Sequence, residues 1–187
     1  ILDNVGDAES FGGEISVTAE PAAGWLLQAN AGVNFTEIKN FNGTLVGTTP
    51  ATTPNLNGVD LPNAPEYTFT LAAEYEHPRD LVNGLKPYIR VDYNFRSDFL
   101  SGGVSNLVPL AGYDTFDLRL GLREERTKIE LFAENLFNER YTSTATTNPI
   151  LSGPVPFAAT GLPPVAAGIV GTPGAPRRIG IRGKIRF

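Results

Sequence analysis

Side chains that usually carry out catalysis are scarce in this 187-residue chain, which contains one histidine and no cysteine. A Ser/His/Asp triad could be built only around His77, and the lack of cysteine excludes thiolate metal sites and cysteine nucleophiles. His77 lies in a predicted turn without the further ligands that a metal site needs. A Gly-rich phosphate loop is also absent from the sequence. We therefore expect no enzyme and no cofactor or metal site.

Charged side chains alternate instead with apolar ones, which is the pattern of a β-strand with one wet face. In the segment 85–97, Arg90 and Asp92 alternate with Val91. The wet faces carry both signs of charge on neighbouring strands, so cross-strand ion pairs are expected. The residues concerned are Arg90, Asp92, Arg96, Asp117, Arg119, Arg123, Glu130, Glu134, Arg182, Lys184 and Arg186.

The same alternation predicts seven strands, at residues 13–20, 25–36, 66–76, 85–97, 116–123, 127–137 and 179–187. Residues 3–10 are interpreted as a polar connection. In the sixth strand Phe132 is the one aromatic residue that points to the wet side. The last strand has a wet face of Gly and cations only, opposite an apolar face that ends in an aromatic residue. Such a strand suits a membrane β-barrel, whose outside contacts lipid and whose lumen holds water.

The predicted connections alternate in length, with short turns at 21–24, 78–84 and 124–126 and long loops at 37–65, 98–112 and 138–176. Outer-membrane barrels have short periplasmic turns and long extracellular loops, so the long loops are expected outside. Seven strands are an odd number, and an open sheet would leave edges unpaired in lipid. The chain is therefore expected to be part of a larger barrel. It contains no Met, so we expect its original N-terminus to be missing.

Composition excludes two other classes of protein. The net charge of −5 gives no basic excess for nucleic acid, so no nucleic-acid partner is expected. No window is apolar for long enough to form a spanning helix. A soluble β-sandwich binding module would show equally good alternation, but it explains neither the apolar faces of all seven strands nor the alternating connections.

Two terminal motifs carry a family resemblance. Residues 134–141 read Glu-Asn-Leu-Phe-Asn-Glu-Arg-Tyr, and after a long loop residues 174–177 read Gly-Ala-Pro-Arg and lead into the strand that ends in Phe187. Together these motifs resemble the C-terminus of TonB-dependent outer-membrane receptors, and residues 12–14 and 61–68 also look like that family. The resemblance implies an all-β, antiparallel transmembrane barrel of the 22-stranded type with a plugged lumen. Residues 1–187 would be its C-terminal portion, with the plug domain and the N-terminal strands absent.

The function that this resemblance implies is active uptake of a scarce nutrient of the siderophore, cobalamin or carbohydrate class across the bacterial outer membrane. The implied partners are outer-membrane lipid, the remainder of the barrel and plug, the barrel-assembly machinery, and the TonB energy-coupling complex acting through the missing plug. The alternative is a passive porin or a small adhesion-type outer-membrane barrel, which would need no plug.

Three sets of site residues follow. The resemblance implies an assembly signal read from the last strand, at Ile179, Ile181, Ile185 and Phe187. Aromatic residues near strand ends predict two belts at the membrane surfaces, formed by Trp25, Phe35, Tyr67, Tyr75, Phe95 and Phe116, with Phe187 also near a periplasmic end. Exposed aromatic or amide residues of the outer loops are candidate ligand contacts, namely Phe41, Asn42, Phe99, Asn106, Tyr141 and Phe157. These loops contain few Arg and Lys residues, which disfavours an anionic ligand.

Overall fold

All regular structure in the part of the chain described by the computed structural model is β-strand. The described residues are 6–41, 55–81, 84–103, 107–148 and 168–187. Among them, no helix is long and apolar enough to cross a membrane. The strands are β1 (Asp7–Ala19), β2 (Trp25–Lys39), β3 (Tyr67–Glu76), β4 (Lys86–Arg96), β5 (Phe99–Ser101), β6 (Val108–Leu110), β7 (Tyr113–Arg123), β8 (Thr127–Glu134), β9 (Thr142–Asn148), β10 (Gly168–Pro173) and β11 (Arg178–Ile185).

Seven of these strands form one antiparallel sheet in the order β1-β2-β3-β4-β7-β8-β11. The strands of this sheet therefore follow one another in the order of the sequence. The sheet is open, with β1 and β11 at its two edges. The remaining strands form two antiparallel hairpins, β5 with β6 and β9 with β10.

The sheet has one apolar and one polar face because its register places apolar residues opposite apolar ones and polar residues opposite polar ones on neighbouring strands. Ala29 lies opposite Leu71, while Asn30 lies opposite Thr70. The apolar face is exposed in all seven strands of the sheet, and Leu71 and Ile181 are 47% and 75% exposed. A soluble protein rarely leaves so large a contiguous apolar surface open to water. This face is the lipid-facing wall of the barrel, and the opposite face is the lumen wall.

The connections follow the predicted alternation. The connections at 20–24, 77–85 and 124–126 are short and join strands at one end of the sheet, and those at 40–66, 97–112 and 135–177 are long and join strands at the other end. The long loops carry structure that was not predicted, because the hairpins β5–β6 and β9–β10 lie within them.

The first two strands extend further toward the loop end than the sequence predicted. The interpretation of residues 7–10 as a connection was wrong, since Asp7 pairs with Lys39 and Ser10 with Thr36. Polar contacts support this extension, including an ion pair of 2.6 Å between Lys39 Nζ and Glu9 Oε2. The hydrogen bond between Lys39 and Glu9, together with the nearby negative charge of Glu37, raises the pKa of the Lys39 side chain. The extension is therefore a polar hairpin that projects beyond the apolar wall.

Candidate functional site

A chain of ion pairs crosses the lumen wall. Arg90 Nη2 lies 2.7 Å from Asp92 Oδ1, and Arg119 Nη1 lies 2.8 Å from Asp92 Oδ2. Toward the short turns, Arg123 Nη2 lies 2.7 Å from Glu74 Oε1. Glu74 and Asp92 are both buried beneath these guanidinium groups. The predicted cross-strand pairing is thus confirmed for Arg119 with Asp92 and for Arg123 with Glu74, whereas Arg90 and Asp92 pair within β4.

The register explains why the Arg119–Asp92 pair runs diagonally. Residues of like charge lie directly opposite each other, Arg90 with Arg119 and Asp92 with Asp117. Direct opposition of like charges is unfavourable, whereas the diagonal neighbours are within reach of long side chains. Arg119 therefore pairs diagonally with Asp92 across the β4–β7 seam.

Glu130 is the most enclosed charged group of the lumen wall, at 2% exposure. It accepts a hydrogen bond of 2.6 Å from the Tyr88 hydroxyl. Lys128 Nζ and Arg182 Nη1 lie 2.7 and 3.0 Å from its carboxylate oxygens. A buried carboxylate needs such pairing to remain charged. Glu130 therefore ties together the strands β4, β8 and β11.

Two glycines make room for aromatic rings on the same wall. A Cβ at Gly180 would lie 2.7 Å from the Phe132 ring, and one at Gly121 would lie 2.6 Å from the Tyr88 ring. The Arg182 guanidinium lies over Phe132, 4.9 Å from the ring centre. The position of Phe132 on the wet side is therefore confirmed, and its ring covers Gly180 of β11.

The remaining inward charges differ from this pattern. Arg178 pairs with Glu134, but within the described residues neither Lys184 nor Arg186 makes an ion pair. Lys184 lies opposite Lys128. Lys184 belongs to the edge strand β11 and Arg186 follows it, so a strand paired with that edge could bring carboxylates within reach of both.

The outer loops contact one another through Ser101, which is 1% exposed. Its hydroxyl accepts a hydrogen bond of 2.9 Å from the Ala145 N–H in β9 and lies 3.4 Å from Asn63 Oδ1. The Asn63 N–H in turn donates to the Leu100 carbonyl over 2.6 Å. The three long loops are thus connected, and sequence reasoning missed this contact because a serine within a loop gives no local signal.

A cavity of about 360 Å³ lies between the first two of these loops and the outer end of β2. Its lining includes three acidic residues, Asp60, Glu66 and Asp98, together with Asn34 and Phe99. No Arg or Lys is among the described residues that line it. This charge pattern suits neutral or cationic groups better than anionic ones.

Asn135, in the first terminal motif, is a structural residue that sequence reasoning did not single out. It is 5% exposed and has a left-handed backbone with φ of 49°. Its side-chain N–H groups donate to the carbonyls of Glu139 and Ala175, both at 2.9 Å, and its Oδ1 accepts from the Glu139 N–H at 2.8 Å. Asn135 therefore ends β8 and links it to the segment that leads into β11.

The candidate ligand contacts have different surroundings. Phe99 was expected to be exposed, and this is wrong: it is 7% exposed because the Arg96 guanidinium lies 3.6 Å from its ring centre. Tyr141 is half-buried, stacked on Tyr113 with ring centres 3.8 Å apart, and its ring covers Gly174. Phe41 is half-buried, and its N–H donates to Asn57 Oδ1 over 2.9 Å. Asn42, Asn106 and Phe157 lie outside the described residues.

The belt candidates lie at the two ends of the lipid-facing wall. Near the short turns, Trp25 and Tyr75 have ring centres 5.0 Å apart. Near the long loops, Phe35 meets Tyr67 edge to face at 6.3 Å. The other two candidates contact aromatic neighbours on the same face, Phe95 with Phe69 at 5.6 Å and Phe116 with Tyr93 at 4.7 Å.

The residues predicted as an assembly signal lie together on one exposed edge. Ile179, Ile181 and Ile185 point to the lipid-facing side of β11, and Phe187 follows the end of that strand. All four are exposed. Their role in assembly stays a prediction.

Comparison with known proteins supports the same architecture. The family model described as "TonB dependent receptor-like, beta-barrel" matches residues 1–138. The crystal structure of the ferric yersiniabactin uptake receptor FyuA from Yersinia pestis is similar, with a TM-score of 0.71 and 23% identity. That match covers 98% of this chain and 24% of the receptor, so the chain spans about a quarter of that receptor's length. At this identity the likeness shows the fold alone. No curated protein sequence matches the chain.

Proposed function

Since the chain belongs to the TonB-dependent receptor-like β-barrel family, we propose that it forms part of the barrel wall of an active nutrient transporter in the bacterial outer membrane. The family match over residues 1–138 carries this proposal. In this assignment residues 1–187 are the C-terminal portion of the barrel, and the remaining strands and the plug domain are supplied by sequence outside these residues. The family is one of transporters, and we infer from it that the chain takes part in transport and not in catalysis.

The open sheet supports the assignment of this chain as one part of a wall. Edge strands in lipid would leave backbone N–H and C=O groups without partners, at a cost of several kcal/mol each. Both β1 and β11 are such edges. We therefore propose that further strands pair with both of them and complete the barrel. The strand that pairs with β11 would then supply carboxylates to Lys184 and Arg186, which make no ion pair within the described residues.

The proposed transport begins with ligand binding at the outer loops and continues through the lumen, with energy from the TonB complex delivered through the plug. FyuA is named as an uptake receptor for ferric yersiniabactin, and the siderophore, cobalamin and carbohydrate classes all remain candidates here. The acidic cavity lined by Asp60, Glu66 and Asp98 favours a ligand without strong negative charge. Phe41, Tyr141, Asn42, Asn106, Phe99 and Phe157 remain the proposed contacts, and Phe99 is the one that lines this cavity.

The experiment is an uptake assay with the full receptor in its native host. Labelled ferric siderophores, cobalamin and oligosaccharides are supplied to cells with the receptor, without it, and with the receptor but without TonB. We expect one class of ligand to be taken up only when both proteins are present. Uptake that requires the receptor and continues without TonB would support the passive porin instead.

A variant pair then tests the outer loops as the binding site. Phe41→Ala should weaken binding of the identified ligand about tenfold if the ring contacts it. The matched control is Phe11→Ala, because Phe11 is exposed on the lipid-facing side of β1 and should leave affinity unchanged. Equal affinities in both variants would remove Phe41 from the site.

A further inference from the structure

The lipid-facing wall contains a groove near the end that carries the short turns. Three alanines, Ala19, Ala29 and Ala73, form its floor, and Leu27, Leu71 and Tyr93 rise around them. The groove has a volume of about 420 Å³ and a lining that is almost entirely apolar. It exists because small and large residues share the same two rows of the sheet: Leu27 lies opposite Ala73, and Ala29 lies opposite Leu71.

The register places this groove at a defined depth in the membrane. The row next to it toward the short turns is the pair of Trp25 and Tyr75, which lies at the periplasmic belt. Successive rows are two residues apart, about 7 Å along a strand, and a tilt of about 40° reduces this to roughly 5 Å of depth. The two groove rows thus lie about 5 and 10 Å above the belt. In an apolar band of roughly 25 Å, this is the half that contains the periplasmic leaflet.

The dimensions of the groove disfavour a protein as its occupant. Two rows on four strands cover roughly 15 by 15 Å, or a few hundred Å². A specific protein interface buries about 800 Å² on each partner. A lipid chain needs no such area, since it is held by van der Waals contact and can bend to follow the floor. Within a bilayer no hydrophobic gain separates the groove from bulk lipid, so packing alone determines what fills it.

We propose that this groove binds one acyl chain of a phospholipid from the periplasmic leaflet, with the lipid headgroup beyond the Trp25–Tyr75 pair. This inference rests on the proposed location in the outer membrane. The turn after the pair offers a polar environment at that level, because His77 meets Tyr75 edge to face at 6.4 Å and Arg79 follows it on an exposed turn. Lipopolysaccharide is not the expected occupant, because it belongs to the opposite leaflet.

The test is native mass spectrometry of the full receptor, extracted from outer membranes and washed extensively in mild detergent. Ala29→Phe and Ala73→Phe would each fill the floor of the groove. The matched control is Ala133→Phe, because Ala133 faces the same side of the sheet, opposite Leu118 and Ile179, but does not line the groove. We expect the unmodified receptor and the control to retain one phospholipid, and both groove variants to retain it at least fivefold less often.

Several outcomes would overturn the inference. These are equal phospholipid retention in the groove variants and the control, a retained lipopolysaccharide, or a retained protein that the groove variants release. Folding is checked separately by the shift in gel mobility on heating, which reports an intact barrel. Nutrient uptake is measured on the unmodified receptor and on the same variants. If the unmodified receptor takes up no nutrient, the transport proposal is rejected, and the lipid proposal is then judged from phospholipid retention alone.

Discussion

Replacing Asn135 should loosen the connection between β8 and β11. Its side chain makes three hydrogen bonds at 5% exposure, and each such bond contributes about 1 kcal/mol net. Asn135→Gly removes the bonds but keeps the freedom to adopt φ of 49°, so local stability should fall by about 2 to 3 kcal/mol. Asn135→Ala adds left-handed strain of about 1 kcal/mol or more.

Amide hydrogen exchange of the full receptor in detergent measures this effect at both ends of the link. The Glu139 N–H donates to Asn135 itself, and the Gly174 N–H donates to the Tyr141 carbonyl on the far side of the loop. A loss of 2 to 3 kcal/mol corresponds to exchange that is about 30- to 150-fold faster if these amides exchange by local opening. The Trp25 N–H, which closes a turn at the opposite end of the sheet, should not change.

Asn40→Gly is the control, because Asn40 also has a left-handed backbone, with φ of 51°, but its side chain makes an exposed hydrogen bond to Asp7. It should change local exchange less than threefold. The reasoning is refuted if Asn135→Gly changes exchange no more than this control does. It is also refuted if only Glu139 responds and Gly174 does not, since the side chain would then stabilise its own turn without linking the strands.

Three further predictions concern the loops and the lumen wall. Ser101→Ala should speed amide exchange in β9 roughly tenfold by leaving a buried N–H unpaired, whereas Ser143→Ala, at an exposed bond, should not. Gly121→Ala should lower the fraction of receptor that resists unfolding on a heated gel, because the new Cβ meets backbone and ring atoms, and Gly183→Ala, with open space around it, should be neutral. Glu130→Gln should destabilise the barrel to urea by about 3 kcal/mol, because two cations lose a buried partner; an unchanged midpoint would contradict that assignment.

The alternation of apolar and polar residues was sufficient to predict the main sheet. It predicted all seven strands and the wet-side position of Phe132, because a strand between lipid and water must repeat every two residues. The hairpin of β9 and β10 was missed, since residues 142–148 read Thr-Ser-Thr-Ala-Thr-Thr-Asn and lie beyond the lipid, where no apolar face is required.

The site was less predictable because its contacts join distant parts of the chain. Asn135 bonds to Ala175, forty residues away, and Ser101 bonds to Ala145, forty-four residues away. Aromatic residues in loops looked exposed, but Phe99 is covered by Arg96 and Tyr141 by Tyr113. The polar residues that flank an aromatic residue in a loop suggest that its ring is exposed, but they do not show whether another side chain will cover that ring in the fold.

The directions of the two edge strands limit how this sheet can be completed to a closed barrel. Neighbours in the sheet are antiparallel, so with seven strands β1 and β11 run in the same direction through the membrane. Copies of this sheet arranged around a rotation axis would meet with β11 of one copy beside β1 of the next, and every such seam would be parallel. Membrane barrels of this kind are antiparallel throughout. Identical copies of this sheet therefore cannot form an antiparallel ring, and closure as an antiparallel barrel would require an odd number of further strands between β11 and β1.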